Sequence, residues 1–329
     1  MKVAVIGGGI TGISACLYLS QIKNMDRMDV HLYSDDVGGN FAKGGLKYLK
    51  KTIFTERFLE KIMPLNYKVS SVVGALHYKN HIELFPHFME LDNEIGKRIQ
   101  KEYWYKTGRD VNKFDDRCMN DVWNYRTELK IDFEDGILGF IYKLTNEILS
   151  EEHCTCYLSY LTGDKLNEII SEYDLVIYTL PLSFLLKTLG KHIDIKMDNS
   201  DLHIYKFKAE KRIRDHVWFD YIYFPHITYP FHRISKTLSG FDVEVNGSKG
   251  GVISGVDDFF YNNFGHHVNQ KVELIRMPGQ ITTDVPDLEI IPDNVVLLGR
   301  FAEWNKRITW DNVVESLFKN EKINSHSVY

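Results

Sequence analysis

An apolar strand, a glycine turn and a helix follow one another in the first twenty residues, MKVAVIGGGITGISACLYLS. Val3, Ala4, Val5 and Ile6 form a short run of strand character. Gly7, Gly9 and Gly12 then stand at the G-x-G-x-x-G spacing, and Ile13, Ala15, Cys16, Leu17 and Leu19 continue with a helical pattern. This order predicts a βαβ unit that binds a dinucleotide. Gly7 permits the tight turn, Gly9 lets the backbone approach a pyrophosphate, and Gly12 lets the helix pack close to the strand. Ile10 and Thr11 stand where the helix begins. The unpaired N–H groups there carry partial positive charge toward the phosphates.

The second strand is predicted over Val30–Ser34, ending in Ser34-Asp35-Asp36. A dinucleotide fold places an acidic group at this point to hold the adenosine ribose hydroxyls. Ser34 holds the usual position, so Asp35 is the candidate from one residue later.

The remaining totals narrow the class. With 329 residues, 44% of them hydrophobic, the chain is long enough for two lobes. A net charge of -5 implies no broad basic field, so nucleic acid is an open partner but not an indicated one. No apolar run approaches the ~20 residues of a membrane span. The glycine-interrupted start does not read as a signal peptide. A cytoplasmic protein without membrane contact is therefore expected. Cys16, Cys118, Cys154 and Cys156 lack zinc-ligand spacing and are expected to be free thiols, with no metal bound.

Val37-Gly38-Gly39-Asn40 follows the second strand. A first glycine motif, a second strand and then V-G-G-[R/N] resembles the FAD-dependent amine oxidase, protoporphyrinogen oxidase and UDP-galactopyranose mutase superfamily. The Gly38-Gly39-Asn40 form looks most like the mutase branch. Two later segments carry the same resemblance. Tyr173–Leu182 is similar to the family's D-x-V-I-x-T-x-P step out of the nucleotide domain. Asp293–Ser316, with Val295–Leu298, Gly299-Arg300 and a helix beginning near Thr309–Asn312, resembles its C-terminal flavin motif.

The resemblance implies FAD as cofactor. It assigns contacts to Gly7, Gly9, Ile10, Thr11, Gly12, Ser34, Asp35, Gly38, Gly39, Asn40, Gly299, Arg300, Thr309 and Trp310. The last helix is expected to aim its N-terminus at the flavin pyrimidine ring, capped by Thr309 or Asp311. One departure stands out: where mutases carry a histidine-rich segment, this chain has Lys43-Gly44-Gly45-Leu46-Lys47-Tyr48. Lys43 or Lys47 is thereby a candidate to face the flavin or an anionic substrate.

Elsewhere the periodicity predicts a capped helix over Thr55–Met63, strands between Tyr67 and Ile82, and a helix over Glu90–Tyr105. Asp135-Gly136 is read as a turn into a buried helix. Strands are expected at Cys154–Leu161, in succession through His203–Ser235, and at Val272–Met277. The glycine-rich stretch Asn246–Gly255 lacks the G-K-[ST] of a phosphate loop and reads as a hairpin or edge turn. Lys319–Tyr329 reads as a frayed polar tail. Arg233 is a candidate anion clamp, and His226 and His232 are candidate general bases.

The expected architecture is α/β: a Rossmann-like FAD-binding domain, a parallel sheet with flanking helices, plus a smaller α+β substrate domain. The FAD-binding domain is assigned to residues 1–75, 132–200 and 286–329, and the substrate or cap domain to 76–131 and 201–285. The expected activity is that of an amine-oxidase-like FAD-dependent oxidoreductase, with Lys43, His232 and Arg233 as catalytic candidates and a small-molecule or nucleotide-linked substrate. Three other readings stay open: a mutase-like isomerase, a lyase acting on an amino-acid-modified pyrimidine in bacteriophage DNA, and a redox-inactive nucleotide-binding module.

Overall fold

The opening strand runs Lys2–Gly9 (β1) and is covered on both faces, so Val3, Ala4, Val5 and Ile6 are all fully buried. The computed structural model describes residues 1–22, 28–39, 49–50, 52–62, 67–71, 73–78, 81–84, 93–107, 111, 129–133, 145–148, 154–191, 202–247, 249–268, 272–277, 288–305 and 308–324. In chain order after β1 come α1 (Ile10–Leu17), β2 (Asp29–Gly38), β3 (Leu49–Lys50), α2 (Ile53–Ile62), β4 (Tyr67–Ser71), β5 (Gly74–Tyr78), β6 (His81–Leu84) and α3 (Asn93–Lys106). The chain continues through β7 (Leu129–Phe133), β8 (Cys154–Leu158), α4 (Gly163–Glu172), β9 (Leu175–Tyr178), α5 (Leu182–Thr188), β10 (Leu202–Lys208), α6 (Lys211–His216) and β11 (Tyr221–Tyr223). It closes with β12 (Arg233–Lys236), β13 (Gly240–Asn246), α7 (Val252–Phe264), β14 (Val272–Met277), β15 (Val295–Leu297), α8 (Trp310–Lys319) and α9 (Glu321–Asn324).

A five-stranded parallel sheet has the order β15-β9-β1-β2-β8. Side chains alternate across a strand, so β1 feeds two cores. Val3 and Val5 pack with α1, α2 and α8 (Ile13, Phe58, Val314), whereas Ala4 and Ile6 pack with α4 and α5 (Ile169, Leu185). The chain is thus an α/β protein with helices on both faces of a parallel sheet, as expected. A seven-stranded sheet of order β14-β10-β13-β12-β11-β5-β6 packs one face against α7 through Ile222, Val243, Val256 and Phe260. A three-stranded sheet joins β3, β7 and β4. No helix among the described residues is long and apolar enough to cross a membrane.

Several expected boundaries shift. β2 does not stop at the aspartates. Its register against β1 slips between Ile6 and Gly8, and pairing resumes at Gly8↔Val37 and Gly9↔Gly38. The Ser34 hydroxyl staples this irregularity, accepting from Gly8 N at 2.8 Å and donating to Asp36 O at 2.5 Å. α2 begins two residues before Thr55. Thr52 is the residue before it, its hydroxyl accepting from Thr55 N at 3.1 Å while Thr55 Oγ1 accepts from Thr52 N at 2.7 Å. The stretch read as strand through Lys211 and Ile213 is helical, since α6 starts at Lys211. The Asp135-Gly136 turn lies outside the described residues.

The tail is also anchored further than its polarity suggests. Ile323 is fully buried, and Asn324 accepts from Tyr18 Oη at 2.9 Å while donating to Leu317 O at 3.0 Å. Ile323→Ala should therefore cost about 2–4 kcal/mol in urea unfolding, as for a buried aliphatic truncation; a frayed end would lose almost nothing.

Candidate functional site

Three glycine motifs, far apart in sequence, meet at the N-terminus of α1. In the first, a Cβ on Gly12 would lie 1.8 Å from Gly7 O, so only glycine admits α1 this close to β1. In the second, a Cβ on Gly39 would lie 3.1 Å from the Cα of Gly9. In the third, Gly299 has φ +94°, and a Cβ there would come 2.9 Å from Thr11 Oγ1. The α1 N-cap, Gly9, provides no side-chain cap, and the first turn holds no acidic residue. A Cβ on Gly9 would meet nothing within 4 Å. Open space therefore lies over an uncapped helix N-terminus lined by backbone, which is the cradle an anionic pyrophosphate needs.

The strand ends that frame this cradle are tied together. Thr179, in the step after β9, donates from its hydroxyl to Ile6 O at 2.7 Å and from its N–H to the same oxygen at 2.9 Å. The chain's end is tied to its beginning by the Trp310 indole, which donates to Ser14 Oγ at 2.9 Å. Gly299 N donates to Glu303 Oε1 at 2.8 Å, and burial raises the pKa of that carboxyl.

The other assigned residues take distinct positions. Ser34 is buried and its hydroxyl is engaged by the glycine turn, while Asp35 is exposed. Gly38 pairs with Gly9, and Ile10 and Thr11 open α1. The Arg300 Nε donates to Ile308 O at 3.1 Å. Thr309 is the N-cap of α8, its N–H donating to Asn312 Oδ1 at 3.0 Å. The Trp310 side chain is buried against α1. Asp311 does not cap α8 but lies in its first turn, mostly buried, accepting from the Thr309 hydroxyl at 2.5 Å. Asn40, Lys43 and Lys47 lie outside the described residues.

His232 and Arg233 come together on the seven-stranded sheet, around a partner that sequence reading missed. Arg233 pairs in register with Glu244 on β13 and with Tyr223 on β11, so the three share a face. The Arg233 Nη2 donates to Glu244 Oε1, and Nη1 donates to Tyr223 Oη at 3.2 Å. His232 Nε2 stands 3.4 Å from Glu244 Oε2, and its ring meets Tyr103 of α3 edge to face. Burial alone would raise the Glu244 carboxyl, but Arg233 and His232 bring it down to about 2. Burial lowers the His232 imidazole against the pull of Glu244, which favours the neutral ring.

Beyond these, Lys106 at the end of α3 is buried and donates to Phe224 O at 2.5 Å and His226 O at 2.7 Å. Burial, then Lys249, lowers its pKa to about 7. A signal for Glu244 was present: in GFDVEVN, Asp242 and Glu244 alternate with Phe241, Val243 and Val245. Period-two alternation puts both acids on the face opposite the apolar core.

No protein-family model and no curated protein matches the sequence. Solved structures do match along nearly the whole chain. One, reduced UDP-galactopyranose mutase, is 14% identical with a TM-score of 0.58, covering 98% of this chain and 95% of its own. An oxidoreductase from Methanosarcina mazei is 11% identical with a TM-score of 0.63, covering 97% of this chain and 100% of its own. A tryptophan C-6 flavin-dependent halogenase of taromycin biosynthesis is 13% identical with a TM-score of 0.58, covering 97% of this chain and 71% of its own. This chain has the fold of those proteins, the mutase and oxidoreductase included.

Removing one side of the buried pair isolates its role. Glu244→Gln leaves the Arg233 guanidinium without its counter-charge and should destabilise the protein by about 3–5 kcal/mol in denaturant unfolding. The native carboxyl lies below its ordinary value, so its stabilisation is full above the unfolded pKa and is lost as pH falls from about 4.5 through about 2. The variant should show a flatter acid-unfolding slope in that window.

Proposed function

We propose that this chain binds FAD and acts as an FAD-dependent oxidoreductase of the amine-oxidase-like kind. The observation that carries the reading is the meeting of Gly9, Gly39 and Gly299 at the open, uncapped N-terminus of α1. In this reading residues 1–75, 132–200 and 286–329 hold the cofactor, and 76–131 and 201–285 hold the substrate. The α1 N–H groups bind the pyrophosphate, and Asp35, exposed at the β2 irregularity, is the acid available to the ribose.

When bound, FAD supplies the acceptor for a hydride from a carbon bearing an amine. The chain's own groups position and shield, and one of them can take up a proton. Tyr103 and Tyr223 give the polar sheet face an aromatic wall. His232, held neutral, can accept a proton from an ammonium substrate and so present the free amine. Arg233 is already paired with Glu244, so its role is to hold Tyr223 and the sheet face in place. A mutase-like, non-redox chemistry is the second reading, favoured by Asn40 and the Gly299-Arg300-Phe301-Ala302 segment, which look most like the mutase branch.

The visible spectrum of the purified protein, followed by release and identification of the chromophore, tests cofactor binding. We expect a yellow protein carrying FAD, and Gly299→Val, which drives a side chain into Thr11, should emerge colourless but folded. A folded wild-type protein that stays colourless in excess FAD removes the proposal. Anaerobic addition of amines should bleach the flavin; bleaching by none of a broad panel, with turnover of a sugar nucleotide, would favour the mutase reading.

Asp311 makes a separate prediction. Its carboxylate in the first turn of α8 offsets the partial positive charge of that N-terminus. Asp311→Asn should therefore raise the two-electron potential of the bound flavin, by roughly 30 mV if the lost repulsion is worth about 1.4 kcal/mol. Spectroelectrochemical titration reads this shift directly.

A further inference from the structure

The glycine-rich stretch Asn246–Gly255 does not turn a hairpin. It carries the chain from β13 into α7 through Gly251, the N-cap, at φ +73°. This cap offers no side-chain hydrogen bond, and the first turn of α7 holds no acidic residue. A cleft of about 720 Å³ opens alongside, bordered by Lys249, Gly251, Ser254, Tyr229 and His77. That volume falls within the range of small-ligand sites. A second cleft, of about 560 Å³, adjoins the same N-terminus, and Lys249, Gly251 and Ser254 border both.

The second observation is His77. It is only 5% exposed, borders the cleft, and neither ring nitrogen has a hydrogen-bond partner among the described residues. Its ring is stacked on Phe224 at 5.3 Å and edge-on to Tyr229 at 5.0 Å and Phe259 at 5.7 Å. No His77 nitrogen is among the sealed side-chain atoms left without a partner, so the ring edge is reached from the cleft, where a ligand's polar groups can meet it. Burial, then His81 and Lys106, lowers its pKa to about 4, so it presents one donor and one acceptor at neutral pH. Lys249 lies close enough to Lys106 to help lower the Lys106 pKa, so a second basic group stands near Lys249 at this end of the cleft. Asp258 also borders the cleft, further along α7.

The spacing narrows the ligand. Phe259, against which His77 packs, lies eight residues past Gly251, or about 12 Å along the helix axis. We propose that the cleft beside α7 is a second small-molecule site, which takes a phosphate monoester joined to a flat ring, of the nucleoside monophosphate class. The phosphate sits on the α7 N-terminus and Lys249, the ring lies against Tyr229, and His77 hydrogen-bonds to the ring edge. The site is built from β5, the loop before β12, and α7, and shares no residue with the cradle at α1.

The test uses the full chain with FAD in excess, so that failure of the α1 site appears separately as lack of colour. Uridine and adenosine 5′-monophosphates and inorganic phosphate are titrated by calorimetry, and histidine ring signals are followed by NMR. At least one monophosphate should bind with Kd near or below about 1 mM. Lys249→Met and His77→Phe should each weaken it about tenfold, consistent with loss of a charge contact or of a buried hydrogen bond. The wild-type signal that disappears in His77→Phe should shift on titration. Lys249 is exposed, so its variant carries the test should His77→Phe fail to fold. No saturable binding by about 10 mM, binding unchanged by Lys249→Met, or inorganic phosphate binding as tightly as the nucleotides would each overturn the proposal.

Discussion

A helix N-terminus with no cap of its own must find partners for its first N–H groups, and in this protein the start of α1 is left open. Everything around it is arranged to keep side chains away. Gly12 lies under Gly7 O, Gly39 covers Gly9 Cα, and Gly299 rests on Thr11, each at a separation that a Cβ would violate or crowd. Holding three loops at such distances requires a rigid frame. The frame is the alternation of β1 into two cores, with Trp310 and Ser14 joining the last long helix to the first.

The second sheet solves a different problem. Arg233, Glu244 and His232 are charged or chargeable groups in a place where water is nearly absent. Such a cluster is a poor source of net stability, because desolvation consumes much of the Coulomb gain. Its effect is to fix geometry: the guanidinium bridges β11 and β13 through Tyr223 and Glu244, and Tyr103 of α3 closes over Tyr223 and His232. In that geometry the Arg233 guanidinium is paired with Glu244 and Tyr223.

Legibility in the sequence followed the range of the interaction. β14 was readable to the residue and the start of α8 nearly so, and β1 and β9 were located though not bounded, since β1 runs on to Gly9 and Leu182, read as strand, opens α5; their signals are local: apolar alternation, a proline stop, a threonine at the cap. The glycine spacings were equally plain. What escaped was set by contacts distant along the chain. Glu244 lies 11 residues from Arg233, and neither residue type announces the other. Lys106, one residue past the helix predicted over Glu90–Tyr105, carries no sequence signal for its partners, the carbonyls of Phe224 and His226 more than a hundred residues on. Asn324 reads as tail until Tyr18 meets it.

By itself, then, the order of residues determined that the chain opens with a strand, a glycine turn and a helix, that a matching strand, glycine and helix close it, and that a parallel sheet joins them. Those are consequences of steric permission and hydrophobic period, both properties of neighbours in sequence. Only the tertiary structure decided that Gly299 rests on Thr11 at the start of α1, that Asp311 is buried in the first turn of α8, and that the second glycine-rich loop opens onto a cleft with His77 in its wall. Burial and long-range pairing set the energies of those groups, and neither is defined until the chain has closed on itself.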